Sequence, residues 1–325
     1  LEAVLASQPD AVLLHVGMTS FFHLRIVRQL PAPVFALFTS PIYCPRELLR
    51  LGLWRLVRGG RISAGHILGL LVPGHLIRRV LVQGTVKCMI VECATTRERI
   101  VDRGAPEDHV VVIRPGIDGA WLRARFAGAQ RTWVRARYGL AEEAFVVGVF
   151  GPPASLRGLP NLLRAAAIAR RGNPRIKVLA LCRGQVRSVA HRAGEQLRRC
   201  LDAEGWSRLV TGDLPQARLI EAVSVCDAAA LPFEIVPSDV PLSVLEAQAA
   251  GVPLITTRVA CLPEMVPEGG GLCVPPADAQ ALAEAMRILA SDDVRRERMS
   301  ESGRRHAHLW NTLHECDTGK LALLG

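Results

Sequence analysis

The sequence predicts an α/β fold in two domains, each a parallel sheet covered by helices. Short uninterrupted apolar runs alternate with longer segments of helical spacing, the pattern left by strands buried on both faces. At 325 residues the chain exceeds one ordinary domain and suits two. Charge divides it as well: residues 1–140 hold 19 Lys and Arg against 9 Asp and Glu, whereas 141–325 hold 21 of each.

Four strands are expected in the first part: AVLLHV (11–16), VFALF (34–38), CMIVE (88–92) and VVVI (110–113). Between the second and third lies a Leu/Arg-rich region, 46–82, where Leu48, Leu49, Leu53, Leu56 and Val57 recur at helical spacing among arginines. Residues 119–140, with Trp121 and Trp133, read as a linker and a surface helix. A regular alternation follows, with strands at 145–150, 176–181, 208–211, 228–233, 253–257 and 271–274. Helices are expected near 159–171, 187–204, 216–224, 243–250, 279–290 and 293–307. Such alternation implies parallel crossover units with both sheet faces covered.

Composition narrows the function. The nine cysteines are scattered without a CxxC pair, which argues against a zinc ribbon or a thioredoxin-like site and for reduced thiols in the cytosol. The uncharged stretch 62–77 has 16 residues broken by Gly, Pro and two His. A spanning helix needs roughly 20 apolar residues, so none is expected. The positive excess points to an anionic partner: a membrane surface, an acidic acceptor or nucleic acid. Solvated arginines alone are the simpler account of it.

The most informative stretch is PSDVPLSVLEAQAAGVPLITT, 237–257. Ser243-Val-Leu-Glu246 fits a capping box opening a helix, Gly251 ends that helix, and a strand follows. The helix start then lies beyond a strand's carboxyl end, where α/β sheets bind ligands. Free N–H groups around Leu242, Ser243 and Val244 suit a diphosphate. Glu246 reads equally as the capping carboxylate. A second strand-exit loop runs Gly148-Val-Phe-Gly151 to Arg157-Gly158, where backbone can approach a ligand and Arg157 can fork onto phosphate oxygens. It is neither a P-loop nor a dinucleotide fingerprint.

In this order the segments resemble glycosyltransferase family 4. The resemblance runs from about Phe145 to Arg305 and takes in Thr211-Gly212-Asp213, Leu262-Pro263-Glu264 and the stretch from Gly270 to Asp278. Val112 to Asp118 resembles the family's usual end of the N-terminal domain. The resemblance implies a GT-B fold, two Rossmann-like domains whose sheets face across a cleft. It places a partial acceptor-side domain at 1–125, a nucleotide-sugar-binding domain at 126–305 and a tail at 306–325. A complete first domain of this kind has further strands before AVLLHV, so the first domain is expected to be incomplete.

The activity implied is transfer of a hexosyl-type sugar, with retention, from a nucleoside diphosphate sugar to a glycan or lipid acceptor, without metal or other cofactor. Glu246 matches the glutamate that holds the ribose, and Arg157, beside Gly151, the cation on the diphosphate. Leu242, Ser243 and Val244 match the backbone donors to the phosphates, and Thr211, Gly212 and Leu214 the base-lining segment. The family's second glutamate falls on Ser238, with Asp239 beside it as the substitute catalytic carboxylate. Three other positions depart from the family: Gly151-Pro152 replaces Gly-Arg, Ala260-Cys261 replaces Gly-Gly, and no His stands at Thr39-Ser40, although His15 and His23 are near in sequence. These departures indicate an atypical branch. They leave two alternatives open, a non-catalytic sugar-nucleotide binder or scaffold and a sugar-nucleotide epimerase.

Seven Arg against one acid in 46–82, with Trp54 among leucines, fit an amphipathic helix on anionic lipid. A cytoplasmic protein, peripheral on the inner membrane face, is the expectation. Nucleic acid is disfavoured because no reader motif is present and aromatics are sparse.

Overall fold

A computed structural model describes residues 8–30, 32–52, 60–123, 128–151, 157–183, 205–212 and 214–321. The chain forms two compact units. The first comprises Leu1–Gly116, Val236–Pro241 and Leu313–Gly325, and the second Ile117–Ile235 and Leu242–Thr312.

The first unit holds a parallel sheet in the order β1 (Val12–Val16), β2 (Val34–Phe38), β3 (Cys88–Val91), β4 (Val110–Val112). These are the four apolar runs expected from sequence. Two 3-10 helices, Met18–Phe22 and Leu24–Gln29, connect β1 to β2. Among the described residues the Leu/Arg-rich region forms α1 (Pro45–Leu51), α2 (Gly60–Leu70) and α3 (Gly74–Val82). α2 and α3 meet at 83°, because Pro73 cannot continue the helix that precedes it. No single helix among the described residues is long and apolar enough to cross a membrane.

Helix α3 buries Ile77, Val80 and Leu81, an i, i+3, i+4 stripe, against the sheet residues Phe38, Met89 and Val91. Helix α4 (Ala94–Asp102) adds Ile100 to this core and Arg99, whose guanidinium forks onto Glu47 of α1 at 2.9 and 3.0 Å. Residues from the far end of the chain complete the unit. Arg114 pairs with Asp317 at 2.9 Å, the latter 2% exposed, and the Arg114 carbonyl meets His314 Nδ1 at 2.5 Å.

The second unit opens with α5 (Gly119–Arg123) and α6 (Gly128–Arg137). A six-stranded parallel sheet follows: β5 (Phe145–Phe150), β6 (Ile176–Arg183), β7 (Ser207–Gly212), β8 (Ala228–Leu231), β9 (Leu254–Thr257) and β10 (Gly271–Val274). Its helices are α7 (Leu159–Arg170), α8 (Gln216–Ser224), α9 (Leu242–Ala249), α10 (Leu262–Met265), α11 (Ala279–Ser291) and α12 (Asp293–Leu321). The expected helix at 187–204 lies outside the described residues. The last helix continues to Leu321, well past the end near 307 that its pattern suggested.

Strand order is β10-β9-β8-β5-β6-β7, so the chain first winds from β5 toward β7 and then reverses through β8 to β10. β5 and β8 are neighbours at that reversal, and ligands of open α/β sheets bind outside the strand carboxyl ends at such a point. Arg135, 1% exposed, ties α6 to the sheet by donating to the carbonyls of Val225, Glu142 and Ala144 and to Asp227. Asp227 also accepts from Arg131 and from the Val146 amide, so this buried ion cluster is fully hydrogen-bonded.

Candidate functional site

The site in the second unit grows from the exits of β5 and β8. β5 is buried along its whole length and leaves the sheet at Gly151, φ +125°. Residues 152–156 lie outside the described residues. Arg157 returns toward the strand end, so closely that a Cβ on Gly151 would come within 2.5 Å of its guanidinium. Gly158 then starts α7 with φ +76°, and a Cβ there would lie 1.8 Å from the Pro232 carbonyl. Only glycine lets these two strand exits touch in this way.

Phe233 follows β8, and the Arg157 guanidinium lies 5.7 Å from its ring centroid. The β8 exit is held from behind by β9, where the Thr256 and Thr257 hydroxyls donate to the carbonyls of Leu231 and Phe233 at 2.8 and 2.6 Å. Arg157 is half-buried, and loss of solvent lowers its pKa. No carboxylate among the described residues pairs with it. A desolvated guanidinium at the switch point of the sheet, without a carboxylate among the described residues, is chemically suited to an anion.

Helix α9 supplies a second group of donors. It begins at Leu242, so the N–H groups of Leu242, Ser243 and Val244 have no partner within the helix. Ser243 therefore stands at the second helical position rather than at the cap, and the capping box expected with Glu246 does not form. Pro241 directly precedes the helix, which starts two residues ahead of the Val244 start that a Ser243 cap implies. Glu246 falls half-buried in the second turn. Val244 is fully buried and Leu242 40% exposed, so these two contribute backbone rather than side chain. Thr211 and Gly212 end β7 at the carboxyl side of the sheet, followed by half-buried Leu214.

Ser238 and Asp239 belong to the first unit. Asp239 is 0% exposed, and its carboxylate accepts from the Glu92 amide at 3.1 Å, the Thr96 hydroxyl and the Cys93 thiol at 3.5 Å. Its own amide donates to the Thr39 carbonyl at 2.7 Å. The side chain expected to act on substrate thus closes the start of α4. Burial outweighs the three donors and pushes its pKa up to about 7, with neighbouring Glu92 adding to the rise. Glu92 is itself raised by burial. Ser238 only reaches the Val240 carbonyl, at 3.4 Å.

Other departures have visible structural counterparts. Ala260 adopts φ +50°, a left-handed conformation, at the position where the family resemblance expects glycine. His15 Nε2 lies 2.5 Å from Thr39 Oγ1, which brings an exposed imidazole to the place where positions 39 and 40 lack one. Asp292 accepts from the Arg295 amide at 2.8 Å, a helix-start role in keeping with its sequence context. Sequence reading missed His66 and Arg103, which line a cavity in the first unit together with Ser40. They come from α2 and from just beyond α4, and nothing in the local sequence links them.

The profile of the family described as glycosyl transferases group 1 matches residues 135–306, a little over half of the chain. The chain belongs to this family, and its fold is that of the GT-B glycosyltransferases. A D-inositol 3-phosphate glycosyltransferase of Corynebacterium urealyticum is 36% identical over 169 residues, 50% of this chain and 39% of the relative. The corresponding protein of Corynebacterium glutamicum is 29% identical over 256 residues, 74% of this chain and 58% of the relative. The chain thus spans roughly half the length of the curated relatives it matches. Among solved structures, Anabaena HepE in complex with UDP and glucose superposes with a TM-score of 0.74 at 16% identity, covering 99% of this chain and 80% of that one. Sucrose-phosphate synthase from Thermosynechococcus elongatus gives 0.73 at 20% identity, covering 97% and 73%.

Proposed function

We propose that the second unit binds a nucleoside diphosphate sugar and that the protein transfers the sugar, with retention, to a glycan or lipid acceptor. The carrying observation is Arg157, a half-buried guanidinium without a carboxylate partner among the described residues, at the sheet's switch point. It would neutralise the diphosphate, the unpaired N–H groups opening α9 would bind the same phosphates, and Glu246 would take the ribose hydroxyls. The leaving diphosphate is then stabilised by fixed charge and dipoles, without metal or other cofactor. That HepE was crystallised with UDP and with UDP-glucose supports a nucleotide-sugar donor. Asp239 in this reading positions the loop leading to α9 rather than touching substrate.

Calorimetry with UDP, GDP, ADP and CMP on wild type and Glu246→Ala tests the donor site. Micromolar binding of one nucleotide, weakened at least tenfold by the substitution, is expected. A folded protein that binds none of them overturns the assignment. The buried state of Asp239 favours a second reading, a sugar-nucleotide binder without turnover, and hydrolysis or transfer of the bound donor separates the two.

We place the protein in the cytoplasm, peripheral on the inner membrane face. From α1 to α3 the apolar side chains Leu49, Leu68 and Leu71 and the cations Arg46, Arg50, Arg78 and Arg79 are all exposed. Exposed apolar and cationic side chains on the same helices suit an anionic bilayer. Co-sedimentation with vesicles containing phosphatidylglycerol, reduced by Leu68→Ser with Leu71→Ser, is expected; sedimentation unchanged by the pair refutes the assignment.

A further inference from the structure

The segment Val236–Pro241 belongs to the first unit, and the chain runs from it directly into α9. It forms neither helix nor strand, so it is held as a strap by individual bonds. Pro237 and Pro241 have no N–H, which leaves the strap four amides with which to fasten itself. Three of them donate to residues of the first unit. Val236 donates to the Tyr43 hydroxyl at 2.7 Å, Asp239 to the Thr39 carbonyl at 2.7 Å and Val240 to Glu92 Oε2 at 3.4 Å. Thr39 and Glu92 directly follow β2 and β3.

Glu92 and Asp239 bracket one another. The Glu92 amide donates to Asp239 Oδ2 at 3.1 Å, while the amide after Asp239 donates to the Glu92 carboxyl. The other Asp239 oxygen accepts from the Thr96 hydroxyl and, at 3.5 Å, from the Cys93 thiol, both at the start of α4. Ser238, the strap's own hydroxyl, turns to the Val240 carbonyl instead. The charged group that faces Asp239 is thus a second carboxyl, and burial raises the pKa of both. Two buried carboxyls that face each other do not both ionise without cost. An aspartate released to water ionises near pH 3.9, roughly three units lower than the folded value of about 7. Opening of the strap therefore releases a proton at any pH between about 4 and about 7.

We propose that Glu92 and Asp239 form a proton-linked latch that fastens the strap to the first unit, tight in acid and progressively looser toward neutral pH. Loosening frees the residues that lead into α9 without unfolding the sheet beneath them, a local opening rather than a global one. With one proton released per opening, the open population grows about tenfold for each pH unit between about 4 and about 7 and levels off above. The latch stands on the first unit alone. Its consequence for the donor, through the Leu242, Ser243 and Val244 amides next in the chain, rests on the nucleotide-sugar reading above.

Hydrogen exchange on the full chain, read by NMR as protection factors of the Val236, Asp239 and Val240 amides from about pH 5 to about pH 8, tests the latch. The Ile90 amide, in the strand β3 that is paired on both sides, reports global unfolding. Strap protection should fall about tenfold per pH unit up to about pH 7 and then level, staying well below that of Ile90 throughout. Asp239→Asn should abolish the slope. Glu92→Gln keeps an acceptor for the Val240 amide and removes the facing charge. It should make the slope shallower and raise protection near neutral pH, and it covers the case in which Asp239→Asn does not fold. A flat or rising wild-type profile, equal slopes in wild type and both variants, or strap protection equal to that of Ile90 at every pH overturns the proposal. UDP-glucose, whose phosphates engage the start of α9 in the donor reading, should raise strap protection. If the slope is present and UDP-glucose leaves protection unchanged, the latch stands and its tie to the donor site falls.

Discussion

Replacing Arg157 by Gln should move stability and donor affinity in different directions. In the unliganded protein the guanidinium is half-buried, lacks a carboxylate among the described residues and has its pKa lowered by lost hydration. Its main stabilising contact is the Phe233 ring at 5.7 Å, near the outer limit for a cation over an aromatic face and worth about 0.5 kcal/mol there. Loss of that contact is offset by removal of a poorly solvated charge, so the unfolding free energy should change by less than about 1 kcal/mol. With a diphosphate present the balance reverses. One charge-assisted hydrogen bond contributes about 1.5–3 kcal/mol, so UDP should bind about 10- to 150-fold more weakly. Uridine, which has no phosphate, should bind wild type and variant alike. Urea unfolding monitored by circular dichroism and calorimetric titration with UDP and uridine provide the readouts. UDP affinity that survives the substitution, or a stability loss of several kcal/mol, refutes the anion-site reading of Arg157.

Gly158→Ala should destabilise the fold by about 2–5 kcal/mol, because a left-handed alanine must also displace the Pro232 carbonyl, and a thermal melt checks it. Asp227→Asn leaves the buried Arg135 charge uncompensated and should cost about 3–5 kcal/mol in urea unfolding. Ala260→Gly relieves a left-handed alanine and should raise stability by up to about 1 kcal/mol, seen as a higher melting temperature. For Asp239 the folded pKa of about 7 exceeds the ordinary aspartate value of about 3.9. The folded state therefore holds the proton more tightly, and stability should fall as pH rises from about 4 to about 7, by on the order of 4 kcal/mol. Asp239→Asn should flatten that slope, and a wild-type stability that instead rises over the same window contradicts it.

The strands of both sheets were legible because each is an apolar run buried on two faces, a signal independent of distant residues. The helical region 46–82 was only half legible: its apolar spacing is genuine, but Pro73 and the turn before it divide it into elements that meet at 83°. In the second unit, the loop after β5 with Gly151 and Arg157, and the helix after β8 with Glu246, were legible through their place in an ordered set of motifs. The capping role of Ser243 was misread because the helix starts at Leu242, after Pro241, and the capping signature does not register a two-residue shift. Asp239 looked catalytic from its neighbours in sequence, whereas its environment is made by Glu92, Cys93 and Thr96, more than 140 residues away. His66 and Arg103 were invisible for the same reason, since their meeting depends on how α2 and α4 pack and not on any spacing.

The composition of the first unit sets an order on synthesis. Its sheet is encoded within the first 112 residues, yet Tyr43 waits for Val236, Glu92 and Thr96 for Asp239, and Arg114 for Asp317. The last of these pairs is 203 residues apart. Chains emerge from the ribosome at roughly 5–20 residues per second, so the nascent sheet spends about ten seconds or more with Tyr43, Glu92 and Arg114 lacking their partners. The unit made first is the unit finished last, and during that interval its unfinished surface is exposed to aggregation.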